Sequence, residues 1–265
     1  MTNAELKYFS KLRQKKFREQ EDKFLIEGEN IITECLRSEN YKMNLKKVFI
    51  REDYINDKLT DMIQNSSSRI EIISLTEKNF NYLTETINPQ GIIGVVAKPD
   101  RGFKDRKLTA DVIVALDSVN DPGNLGTIIR TCHWFGIKDL ITGTDSVEIF
   151  NSKVIRSSQG SIFYLNILEG IDLEKELELL NRSGYKIILT GLNSQIFLDE
   201  YKINRRNKYI IVFGNEANGI SRNILGNKNY ETIKIRSYSE CESLNISVSA
   251  GIVLNTFQKQ LKVES

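Results

Sequence analysis

VIVALDSVNDPGNLGTIIRT, residues 112–131, is the stretch that decides how this chain is read. Its opening, VIVALD (112–117), is a short run of mostly branched apolar residues, as in a strand covered on both faces. Asp121-Pro122-Gly123 then turns the chain, and Asn124 is a natural cap for a helix over about 124–135. A strand, a polar turn and a capped helix open an α/β unit, and in open α/β sheets ligands collect at the carboxyl ends of the strands. Gly126 permits close approach of a ligand or another backbone. Arg130 lies about one and two-thirds turns beyond Asn124. Taken alone, the segment reads more readily as an ordinary capped helix with an exposed arginine.

The same alternation extends in both directions. Upstream, strands are expected at KFLIEG (23–28), KKVFI (46–50), RIEIIS (69–74) and GIIGVVAK (91–98), with helices near 29–37, 57–65 and 76–84. Downstream, strands are expected at DLIT (139–142), IFYLNI (162–167), KIILT (186–190), YIIVFG (209–214) and ETIKI (231–235). Helices fall near 151–159, 172–182 and 244–262. This pattern implies an α/β protein with a largely parallel sheet covered by helices. Residues 99–108, PDRGFKDRKL, are charged and almost free of apolar side chains, and they divide the chain into 1–98 and 109–265.

The chain has 265 residues, room for one large domain or two smaller ones at roughly 100–200 residues each. With 40% apolar and 27% charged residues it reads as globular. No apolar run approaches the roughly 18 residues of a spanning helix. The N-terminus has no apolar segment of the secretory kind. Cys35, Cys132 and Cys241 are far apart and His133 is the only histidine, so no metal site is expected and a cytoplasmic setting is. Net charge is only +2, but its distribution is uneven. Lys7, Lys11, Arg13, Lys15, Lys16 and Arg18 face one acid, Glu5, in the first eighteen residues; further clusters lie at 98–107 and 202–208. Clusters of this kind suit a phosphate backbone, or simply a solvated face.

Two more segments follow strands. VFGNEANGIS (212–221) sets Glu216 inside a turn built on Gly214 and Asn218-Gly219. ESLNISVSAG (242–251) puts Ser243 and Asn245 at the start of the last helix. In this order and spacing, Asn-x-Gly-x-x-x-Arg-Thr, Gly-x-Glu-x-x-Gly and Ser-Leu-Asn-x-Ser resemble the three signature segments of the SpoU (TrmH-like) family of RNA ribose 2′-O-methyltransferases, within the SPOUT superfamily. The resemblance covers about residues 109–262. Residues 1–98 are similar to the small ribosomal-protein-like α/β domain that binds RNA in many members.

What the resemblance implies is a C-terminal trefoil knot, a homodimer, and S-adenosylmethionine as methyl donor. Carried over by residue, donor contacts fall on Thr190, Gly191, Leu192, Gly214, Glu216, Gly219, Ile235 and Leu244. The reacting end falls on Asn124, Arg130, Glu216, Ser243 and Asn245. The implied substrate is structured RNA, ribosomal RNA of the large subunit first and transfer RNA second. The chain departs from the family at Ile235-Arg236-Ser237, where Ile-Pro-Met is common, and at Ser239, where glycine is usual. That departure leaves open a catalytically retired RNA-binding protein. Two rivals fit less well. Gly123-Asn124-Leu125-Gly126 has the form of a KH clamp but follows a strand, and no Gly-x-Gly-x-x-Gly follows any strand.

Overall fold

The computed structural model describes residues 1–66, 68–99 and 108–261. Apart from Pro99 and Leu108, the linker at 99–108 lies outside the described residues. The chain divides into two units, one of Met1–Gly102 with Glu148–Tyr164 and one of Phe103–Val147 with Leu165–Ser265.

The first unit opens with helices α1 (Asn3–Lys11) and α2 (Lys15–Glu21), which precede the first expected strand. Thr2 starts α1 with a capping box: its hydroxyl accepts from the Glu5 N–H, and the Glu5 carboxylate accepts from the Thr2 N–H. Then follow β1 (Lys23–Glu27), α3 (Glu29–Arg37), β2 (Leu45–Arg51), α4 (Asp57–Gln64), β3 (Glu71–Leu75), α5 (Glu77–Leu83) and β4 (Ile92–Ala97). The sheet order is β1-β4-β2-β3, with β4 antiparallel to both neighbours and β3 parallel to β2. Leu6, Phe9 and Leu12 from the N-terminal helix and its end pack with Phe49, Phe80 and Ile93 on one face.

The second unit begins with β5 (Val112–Leu116), α6 (Pro122–Trp134) and β6 (Asp139–Gly143). At Glu148 the chain joins the first unit, forms α7 (Ser152–Ser158) and a 3-10 turn at Ser161–Tyr164, and leaves again. Here the structure corrects the reading of IFYLNI as a strand: its first residues are the 3-10 turn, and the strand β7 runs Asn166–Ile171. The reason is packing. Phe163 lies against the Tyr41 ring at 5.0 Å between centroids, and its carbonyl accepts the Ser38 hydroxyl proton at 2.6 Å. Gly160, at φ +84°, allows this approach, since a Cβ there would lie 2.6 Å from the Cβ of Glu34.

Next come α8 (Leu173–Arg182), β8 (Tyr185–Thr190), β9 (Lys208–Phe213), α9 (Arg222–Leu225), β10 (Glu231–Ile233) and α10 (Ile246–Leu261). The six strands form a wholly parallel sheet in the order β10-β8-β9-β5-β6-β7. The central strand β5 is buried throughout, as a run free of polar side chains requires. The loops after β5, β9 and β10 carry the three signature segments to the carboxyl ends of the strands.

Basic residues of the first eighteen do not all face solvent. Arg18 is 3% exposed and its guanidinium donates to the buried carboxylate of Glu148, with Lys98 3.5 Å from the same carboxylate. Arg13 is half-buried and donates to the carbonyls of Tyr82 and Thr84. These two therefore serve the fold, while Lys7, Lys15 and Lys16 are exposed.

Candidate active site

Helix α6 starts earlier than its sequence suggests. Asp121, not Asn124, is the cap: its carboxylate accepts from the Asn124 N–H at 2.8 Å, and Pro122 takes the first helical position. Proline suits that position because its φ is already helical and no N–H is left unpaired. Asn124 stands in the first turn with its side chain free to reach other loops. Its amide Nδ2 donates to Glu216 Oε1 at 2.8 Å, and its Oδ1 accepts from Asn245 Nδ2 at 2.9 Å.

All three signature segments are therefore joined by one chain of hydrogen bonds, Asn245 to Asn124 to Glu216. Asn245 also caps the last helix: the residue precedes Ile246, its Oδ1 accepts from the Ser247 N–H at 2.8 Å, and its carbonyl accepts from the Ser249 N–H. Ser243 is exposed, and its carbonyl accepts from the Cys241 thiol at 3.4 Å. Arg130, farther along α6, is exposed and forms no hydrogen bond or ion pair among the described residues. The structure thus links Asn124, Glu216 and Asn245 directly, and leaves the side chains of Arg130 and Ser243 outside the hydrogen-bonded chain.

Glu216 is placed by residues that pattern reading passed over. Asn215 donates to the Ser118 carbonyl at 2.8 Å, and its Oδ1 accepts from the N–H groups of Ala217 and Asn218. Asp117, buried at the end of β5, accepts from the Ser221 N–H at 2.6 Å. Ser118 adopts φ +60°, rare for a residue with a side chain. Asn215 and Gly219 exchange backbone hydrogen bonds, so the loop closes on itself. Gly214 is required there: a Cβ would lie 2.2 Å from the Gly219 carbonyl carbon. The available signals were the Asn beside Glu216 and a carboxylate ending an apolar strand.

The remaining positions lie along neighbouring loops. Thr190 donates its hydroxyl proton to the Val212 carbonyl at 2.9 Å, and Gly191 N–H donates to Ile233. Leu192 and Leu244 are exposed apolar side chains. A Cβ at Gly191 or Gly219 would meet open space. Exposed apolar side chains next to unhindered backbone suit a nucleoside-bearing ligand, whose base needs an apolar face and whose polar edges need backbone partners. The residues present therefore fit S-adenosylmethionine.

Arg236, standing where proline is common, is firmly held. Its guanidinium carbon lies 3.7 Å from the Phe197 ring centroid, and it pairs with Asp199 and Glu200 at 3.2 and 2.7 Å. These carboxylates, Asp199 foremost, raise its already high pKa. Elsewhere, burial pushes the Cys35 thiol up to about 12 and Cys132 higher still, so neither is a nucleophile. Among the described residues no group of three or more His, Cys, Asp or Glu is arranged for a metal, and no helix is long and apolar enough to cross a membrane.

Comparison with known proteins agrees with this geometry. The model of the SpoU rRNA methylase family matches residues 111–255, and that of the MRM3-like substrate binding domain matches residues 3–94. The 23S rRNA (guanosine(2553)-2′-O)-methyltransferase RlmP of Bacillus subtilis is 31% identical, with 95% of each chain covered. The SpoU methyltransferase AviRb of Streptomyces viridochromogenes, solved with AdoMet, superposes with a TM-score of 0.84 at 21% identity over 98% of both chains. An AdoMet-bound rRNA methyltransferase of Sinorhizobium meliloti gives 0.82 at 24% identity, covering 98% of this chain and 96% of its own. The family model over residues 111–255, more than half of the chain, and the likeness to RlmP over nearly its whole length lead to one conclusion: this protein belongs to the SpoU rRNA methylase family.

Proposed function

We propose that the chain transfers a methyl group from S-adenosylmethionine to a ribose 2′-hydroxyl of structured RNA, large-subunit ribosomal RNA before transfer RNA. The observation that carries this reading is the hydrogen-bonded chain Asn245–Asn124–Glu216, which gathers three distant segments at one edge of a parallel sheet. The ribosomal choice follows the likeness to RlmP over nearly the whole chain.

Bound donor supplies an electrophilic methyl group; the protein must orient the hydroxyl and stabilise the charge that grows on its oxygen. A guanidinium keeps its protons, so Arg130 acts by charge, clamping the adjacent phosphate and the developing alkoxide, while the hydroxyl proton passes to solvent as the new O–C bond forms. That role suits a cation with no partner among the described residues. Asn245 and Ser243 orient the hydroxyl or the donor, and Glu216 fixes Asn124. Thr190, Gly191, Leu192, Gly214, Gly219, Ile235 and Leu244 form the donor pocket, with Glu216 beside it. Residues 1–98 bind the RNA, residues 109–265 carry the chemistry, and the protein acts in the cytoplasm.

A knotted C-terminal passage is part of the proposal. It is supported by the order β10-β8-β9 and by the pairing of Phe197 with Lys234 beyond β10. So is a homodimer, supported by exposed Val248 and Ile252, four residues apart on α10, and by Trp134, 84% exposed at the end of α6. Mapping 2′-O-methyl sites in total RNA with and without the gene tests the function. Loss of a site in large-subunit ribosomal RNA is expected. Loss in transfer RNA instead moves the substrate, and no lost site favours a retired, RNA-binding member of the family.

A further inference from the structure

We infer that Arg236 is a positioning residue for the donor pocket, a side-chain clamp that fastens the stretch after β10 to residues 197–200. The inference rests on the proposed function, because it takes Ile235 and the loop after β8 as lining that pocket.

Two layers of contact build the clamp. In the backbone, Lys234 N–H donates to Ile196 at 3.0 Å and Leu198 N–H donates to Lys234 at 2.8 Å, so the stretch after β10 runs beside 196–198. Beside this ladder, Arg236 covers the Phe197 ring and donates from its guanidinium to Asp199 and Glu200. The Lys234 ammonium lies over the same ring, 4.7 Å from its centroid. A planar guanidinium can stack and pair at once, which an ammonium cannot do. Ile235 thus has a held neighbour on either side in the sequence. Gly191 N–H, bonded to the Ile233 carbonyl, ties the other donor loop to the same stretch.

Proline would restrict this position through its own φ and without charge. The clamp does so through two partly exposed ion pairs and a ring contact, which salt weakens. Donor affinity in this protein should therefore depend on salt more than in its Arg236→Pro variant.

The test uses the full chain and S-adenosylhomocysteine as the probe. Hydrogen exchange without probe should show faster exchange at 196–198 in Arg236→Ala, and calorimetry should show affinity weakened about tenfold, the sum of such contacts. Turnover at saturating donor should be unchanged. Arg236→Pro should recover the affinity and lose the added salt dependence. Unchanged exchange in Arg236→Ala overturns the clamp. Faster exchange with wild-type affinity overturns its role toward the donor. A wild-type protein that binds no probe overturns the proposed function and this role together; the exchange data, taken without probe, tell that result from failure of the clamp.

Discussion

Two polar clusters, each assembled from segments far apart in sequence, are treated by this fold in opposite ways. In the first unit Arg18 and Glu148 meet out of solvent with partly buried Lys98 beside them, and the Arg18 guanidinium also donates to the carbonyls of Leu12 and Arg13. In the second, Asn124, Glu216 and Asn245 meet where Glu216 and Asn245 are exposed, with Arg130 open on the same helix as Asn124. Buried charges are tolerated only when paired and hydrogen-bonded, so the first cluster has nothing left to offer a ligand. The second uses neutral amides to hold one carboxylate, and Arg130 beside it has no partner among the described residues. A carboxylate anchors each cluster; the buried one holds a segment in place, and the exposed one is the proposed binding edge.

Breaking the buried cluster should have the largest effect. Glu148→Ala leaves Arg18 buried without its carboxylate and should cost about 3–5 kcal/mol of stability in chemical denaturation. A loss below about 1 kcal/mol, the range of exposed pairs, would place the pair at the surface instead. The open cluster should respond the other way. Arg130→Ala should lower methyl transfer by about a hundredfold or more while stability moves by no more than about 0.5 kcal/mol. Arg130→Lys should recover little, since an ammonium cannot make the planar two-pronged contact. Wild-type single-turnover rates in Arg130→Ala would remove the residue from the mechanism.

The smallest effect sharpens the contrast among the N-terminal cations. Replacing exposed Lys7, Lys15 and Lys16 by alanine should weaken RNA affinity severalfold and flatten its salt dependence, because fewer counterions are released. Donor affinity should stay unchanged. Substitution is a cleaner probe than deletion of 1–98, which would strip the cover from buried Phe150, Ile155 and Phe163.

Much of the architecture was legible because its strands are short apolar runs bounded by turn residues, and burial on both faces leaves few other readings of VIVALD or YIIVF. The three segments were legible in composition and spacing. Their joining was not: the amide of Asn124 meets Glu216 over 92 positions and Asn245 over 121. The helix start at Asp121 was misplaced because both Asp121 and Asn124 are good caps, and Pro122 settles the choice. Arg18 was read as a surface cation because its partner Glu148 lies 130 residues on. The partners of Arg236 were missed because Phe197, Asp199 and Glu200 carry no motif of their own.

Purified protein, S-adenosylmethionine labelled in its methyl group and protein-free large-subunit ribosomal RNA are combined, and the RNA is digested to nucleosides. The account predicts label in a single 2′-O-methylated nucleoside, lost when Arg130 is alanine. Label on a base, or no transfer to any RNA by a protein that binds the donor, would contradict it.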